Sequence, residues 1–222
     1  MSYDDLDVSH RLNTAVNTTA ARFAANPVVD AYDHAAYTVG LKAAAAGYAA
    51  AVTGAIGVDP RIIAAQNQST AAQAPHWGTV TAWLAAGSTA YWVHFFSNNM
   101  PAAAAYRCYV CCNLADTGNM LTALLGAYAG GRTLYFKVAT HDEATMRNDT
   151  IVSWHDTLQD AVLWANTASA NPGWLNGRAP GGTFGGVLTD SVGIDAEVAG
   201  QTSTNKIAEK ARDKVIRNNP YV

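Results

Sequence analysis

One block of the chain, residues 106 to 154, constrains the fold more than any other. It spells a run dense in strand formers, "YRCYVCCN", then a helix-forming run, "ADTGNMLTALLGAYAGG", a second strand-like run, "TLYFKVAT", a polar connection, "HDEATMRND", and a third, "TIVSW". Gly130 and Gly131 close the helical run, glycine being the residue that most easily takes the left-handed turn after a helix. The crossover has the length of a βαβ connection, so the first two strands are predicted to run parallel and to be neighbours.

Around this block the remaining segments are easier to type than to arrange. Residues 11 to 25 carry apolar groups at helical spacing and stop at Asn26 and Pro27, and a longer helix is predicted over residues 30 to 53. Asp59 as cap and Pro60 in the first turn predict a third helix over residues 61 to 66. The aromatic and β-branched stretch "HWGTVTAWLAAGSTAYWVHFF" predicts an antiparallel hairpin turning at Gly87 and Ser88, with a loop at "SNNMP" behind it. Residues 155 to 170 read as a helix, "NPGWLNGRAPGGTFGG" as a long ordered loop, "GVLTDSVGIDAEV" as short strands, and residues 203 to 217 as a final helix. Together these predict one α+β domain over residues 1 to 222. A helical N-terminal layer covers residues 1 to 70, and a mixed β-sheet flanked by helices covers residues 76 to 222.

Charge narrows the functions open to such a domain. The formal net charge is −3, so no basic field points to nucleic acid. The opening "MSYDDLDVSH" has neither the cationic start nor the apolar core of a secretory signal, and a cytoplasmic protein is expected. The apolar run over residues 43 to 58 falls short of the roughly 20 residues a bilayer requires and is mostly alanine and glycine, so no membrane partner is expected. Without secretion, the Asn-x-Ser/Thr triplets at Asn17, Asn67 and Asn148 are chance matches. Cys108 and Cys111 are three apart in a strand-forming segment and so point to opposite faces. With Cys112 they are read as buried thiols, not as ligands or a redox pair.

Lys137 is the residue least at home in its surroundings. Strand alternation sets Leu134, Phe136 and Val138 on one face, and Thr133, Tyr135, Lys137 and Ala139 on the other. Arg107 shares a face with Tyr109 and Cys111 on the strand expected beside it, and Arg147 opens the next strand, so three cations are placed to converge on an anion. The same pattern fits three solvated edge charges. His141 beside Asp142 has the composition of an acid–base pair, although adjacency in a polar loop is common. His94 in "YWVHFF" reads as a satisfied core or edge histidine. No G-x-S-x-G elbow or clustered metal ligands occur, and "GGTFGG" lacks the context of a phosphate-binding glycine loop.

The stretch from "YRCYVCC" through "FKVATHDEATMRNDTIVSW" resembles the central block of the HopA-type bacterial effector family. There an arginine-led strand, a helix, an F-x-K-V-like strand and an Arg-x-Asp step before an apolar strand follow in that order. "GGTFGGVLTDSVGIDAEVAGQTSTNKIAEKARDKVI" is similar to the family's closing block, and "AAQNQSTAAQAPHWGTVTAW" to its upstream N…W…W region. Relatives in class V lanthipeptide and thioamitide gene clusters, of the LxmY type, act as lyases that remove phosphate from phosphoserine or phosphothreonine of a precursor peptide. They work beside a kinase-like protein. The resemblance thus implies a cofactor-free phosphoserine/phosphothreonine lyase with Lys137 as base. By the same resemblance Arg107, Arg147 and Lys206 are expected to bind the phosphate, and His141, placed by neighbourhood and not by a family position, to be the acid. Lys206 stands where the family offers an arginine, a poorer fork for phosphate. The same resemblance also admits a non-catalytic peptide- or kinase-binding accessory protein, or an effector domain of the same family with no chemistry of its own. An NAD-consuming toxin is disfavoured, since "TSTN" lacks the glutamate pair of that chemistry.

Overall fold

The computed structural model describes residues 45–66, 76–97, 104–128, 132, 134–146, 148–177, 186–189 and 191–196. The helices expected over residues 11 to 25 and 203 to 217, most of the N-terminal layer, Arg147 and Lys206 lie outside them. The described helices are α1 (Tyr48–Ile56), α2 (Trp77–Leu84), α3 (Thr117–Ala127), α4 (His141–Met146) and α5 (Leu158–Ser169). The strands are β1 (Ile62–Ala65), β2 (Trp92–Ser97), β3 (Tyr106–Val110), β4 (Tyr135–Ala139), β5 (Ile151–His155), β6 (Gly186–Thr189) and β7 (Val192–Ala196). They form one seven-stranded sheet in the order β1-β2-β4-β5-β3-β7-β6.

The fold is α+β, as the segment order predicts, and its sheet is antiparallel at every pairing, not mixed. Strands β3 and β4 do point the same way, but they are not neighbours. The "HDEATM" connection coils into α4, and β5 then runs back between them, pairing Val138 with Ile151 on one side and Val110 with Ile151 on the other.

Two further expectations are corrected. The segment at residues 61 to 66 is not a helix: the Asp59 carboxylate accepts from the Arg61 backbone N–H at 3.0 Å and from its Nε at 2.9 Å. That spends the cap two residues on in a tight turn, and the β-branched pair Ile62–Ile63 continues as edge strand β1. The first arm of the expected hairpin is helix α2. His76 caps it by accepting from the Thr79 N–H, and Val80 and Leu84, four apart, are buried on its inner side. Helical spacing of these apolar groups outweighed the strand preference of Thr and Trp.

All five helices contribute to a single core against one face of the sheet. Val52, Ile56, Leu84, Leu121, Leu124 and Trp164 meet Val93, Phe95, Val110, Phe136 and Ile151 there. Trp164 is fully buried, with its ring 5.0 Å from Tyr128, edge to face, and 5.8 Å from Phe136. Helix α3 crosses α1 closely: a Cβ at Gly118 would lie 2.9 Å from the Ala51 carbonyl oxygen. Cys108, Cys111 and Cys112 are buried free thiols.

Candidate functional site

The other face of the sheet carries a second cluster: Ala65, Phe96, Tyr109, Tyr135, Val152 and Trp154, with Ile63 and Trp92 packed against it. Alternation along four strands puts Lys137 and Arg107 on this face. Lys137 pairs with His94 on β2 and Val152 on β5, and Arg107 pairs with Trp154 on β5 and Asp195 on β7.

Both cations stand over the same indole. The Arg107 guanidinium lies 5.2 Å from the centre of the Trp154 ring, and the Lys137 Nζ 5.7 Å from it. Nζ sits closer still to Trp92, at 4.0 Å. Such contacts stabilise the charged form of the side chain and fix its position. Tyr135 stacks on Trp154 at 4.4 Å and 15°, and the Tyr109 hydroxyl accepts from Arg107 at 3.3 Å. The buried Asp195 carboxylate stands opposite Arg107 in register and so adds a negative neighbour to the row.

His94 completes the row. Its Nδ1 is 3.2 Å from the Tyr135 hydroxyl, and its ring stacks on that of Tyr135. Burial, and then the charge of Lys137, push its pKa down to about 4, so the imidazole is neutral at neutral pH. With Gln66, Thr89, Ala90, Tyr91 and Trp92, His94 lines a cavity of about 320 Å³. Tyr91 is among the most exposed large side chains of the described residues.

A second polar network lies inside the core on the helical side. Ser153 Oγ is 2.8 Å from His155 Nε2, and His155 Nδ1 is 2.7 Å from the Tyr128 hydroxyl, which donates to the Asp160 carbonyl. The spacing is that of an activated serine. Ser153 and His155 are nonetheless buried, and Trp164 lies across the histidine, so this network is structural.

Of the residues singled out in the sequence, the structure brings Lys137 and Arg107 together. His141 stands apart, at the start of α4, where its ring meets Tyr48 of α1 edge to face at 6.0 Å within the helical layer. Its Nδ1 donates to Asp142 at 2.9 Å, and the Gly87 N–H donates to the same carboxylate. Sequence reasoning left His94 out of the site. Strand alternation sets it on the face of Trp92 and Phe96, but only the pairing register puts it opposite Lys137. Among the described residues no group of three or more His, Cys, Asp or Glu side chains is placed to hold a metal ion. Among them, too, no helix is long and apolar enough to cross a membrane.

An antiparallel sheet backed by helices on one face, with a cationic and aromatic row on the other, defines the class: an α+β domain. The fold is similar to an effector protein from Pseudomonas syringae pv. syringae strain 61, with a TM-score of 0.60 and 11% identity over 92% of this chain and 88% of that one. It is also similar to an effector protein from Pseudomonas syringae pv. tomato strain DC3000, with a TM-score of 0.59 and 8% identity over 95% of this chain and 90% of that one. No protein-family model matches the chain, and no curated protein does. At these identities the likeness is one of fold, and it supports the effector half of the resemblance noted in the sequence.

Proposed function

We propose that the chain is a phosphoserine/phosphothreonine lyase that forms dehydroamino acids in a ribosomally made precursor peptide, working beside a kinase-like protein that phosphorylates it. The observation that carries this reading is the placement of Lys137 and Arg107 over one indole, Trp154, by strand register. A leaving phosphate is a dianion, and β-elimination is accelerated most by fixed cations at the oxygen where charge develops. Arginine supplies a planar fork and lysine a compact point charge, which suits a group with three equivalent oxygens. Arg147 and Lys206 are the further phosphate ligands in this reading; His141, which stands apart in the helical layer, is not carried into it as the acid.

The experiment is incubation with phosphorylated precursor peptides from the chain's own gene neighbourhood, read by mass spectrometry. Wild type is expected to convert them by loss of phosphoric acid, and Lys137→Ala to lose at least about a hundredfold in rate. Phosphopeptide bound tightly and left intact by wild type would instead favour the accessory, peptide-binding role.

A further inference from the structure

We propose that His94 is the catalytic base of this face: its Nε2 takes the Cα proton of a phosphorylated residue seated in the cavity it lines, while Lys137 and Arg107 hold the departing phosphate. The proposal rests on the lyase reading above and reassigns its central step.

Lys137 is poorly placed for the base's task. Its Nζ lies against Trp92 at 4.0 Å and near Trp154 at 5.7 Å, and the electron-rich face of an indole attracts an ammonium group, not a neutral amine. A lysine base needs the reverse, surroundings that favour loss of its proton. The two indoles suit Lys137 to gripping an anion.

His94 has the attributes that Lys137 lacks. It stands directly opposite Lys137 in the β2–β4 register, and directly opposed residues of an antiparallel pair project from the same face about 5 Å apart. Its Nδ1 is tied to the Tyr135 hydroxyl at 3.2 Å. In the tautomer whose Nδ1–H donates to that oxygen, the Nε2 lone pair remains for a ligand of the cavity that His94 lines, and no described residue hydrogen-bonds Nε2. A base oriented by a third group is the arrangement proton abstraction requires. Burial and the charge of Lys137 keep the imidazole unprotonated, and a bound dianion offsets that charge and so strengthens the base once substrate is present. Gln66 and Thr89 offer hydrogen bonds to a peptide backbone, and Tyr91 and Trp92 an apolar wall.

In the step itself the Cα–H bond breaks and its proton passes to Nε2. The electron pair forms the Cα=Cβ bond, and the Cβ–O bond breaks with its electrons leaving on the phosphate. The departing phosphate takes a proton from water and leaves as hydrogen phosphate, and the imidazolium returns the Cα proton to that water, so the products are a dehydroamino acid and hydrogen phosphate.

The test uses phosphoserine and phosphothreonine precursor peptides with wild type, His94→Ala and Tyr135→Phe. Elimination is followed by mass spectrometry and binding by fluorescence anisotropy. His94→Ala is expected to lose about 100-fold or more in elimination rate, to keep its peptide affinity within a few-fold, and to regain activity when free imidazole fills the vacated space. Tyr135→Phe, which retains the ring stack, is expected to lower kcat about tenfold with KM unchanged, and decides the matter should His94→Ala fail to fold. Elimination by His94→Ala at the wild-type rate overturns the assignment and leaves the lyase reading standing. An inactive His94→Ala that still binds but gains nothing from imidazole overturns it also, as does an unchanged kcat in Tyr135→Phe. Absence of elimination by wild type overturns the lyase reading and the base together.

Discussion

His94 and His155 are held neutral, each with a pKa pushed down to about 4, chiefly by burial. The charge of Lys137 adds to the effect at His94, whereas Asp160 opposes it at His155. The unfolded chain takes up these protons near pH 6.5 and the folded chain does not until near pH 4. Stability is therefore fully present above about pH 6.5 and is lost as the pH falls toward 4, by about 2 kcal/mol per histidine at pH 5. Urea unfolding at pH 7 and pH 5 should show that fall, and His155→Gln should reduce it. Much of the site is legible at this scale: alternation alone sets Lys137 with Tyr135, and Arg107 with Tyr109. The convergence on Trp154 is not legible, because it depends on which strands are neighbours.

Among the elements, the contact between α1 and α3 makes the sharpest demand on a side chain. Gly118 lies within α3, where alanine would gain up to about 1 kcal/mol of helix propensity. Its Cβ would meet the Ala51 carbonyl oxygen at 2.9 Å and carbon at 3.0 Å, backbone atoms that cannot swing aside. Gly118→Ala should therefore destabilise by about 1–3 kcal/mol, read as a lower thermal midpoint, against the sign that propensity alone gives. In the same core, Trp164→Ala should cost about 3–5 kcal/mol. Elements with a strong period and clear ends were legible: β3, β4, β5, α3 and α5 fall close to where the sequence puts them. Those decided by tertiary context were not. The Trp77–Leu84 segment is rich in strand formers yet folds as α2, and Ile62–Ala65, behind helix-start residues, is drawn into the sheet as β1.

At the scale of the whole molecule, strand order carries information that no local pattern holds. Periodicity marks a segment as a strand and shows which side faces inward, but pairing partners come from how the layers close. The expected adjacency of β3 and β4 failed for that reason. Strand β5, fourth of seven in the order and buried along its whole length, should hold its amide protons longest in hydrogen exchange, with β1 among the first to exchange.

The late arrival of β5 also has a consequence during synthesis. A nascent chain that has emerged only to residue 150 holds β3 and β4 with a vacant lane between them, and each bares a row of amides and carbonyls to whatever passes. Ribosome-stalled chains that have emerged to that point should be cut readily by protease and captured by chaperones, and chains that have emerged beyond β7, which covers the other edge of β3, should resist both.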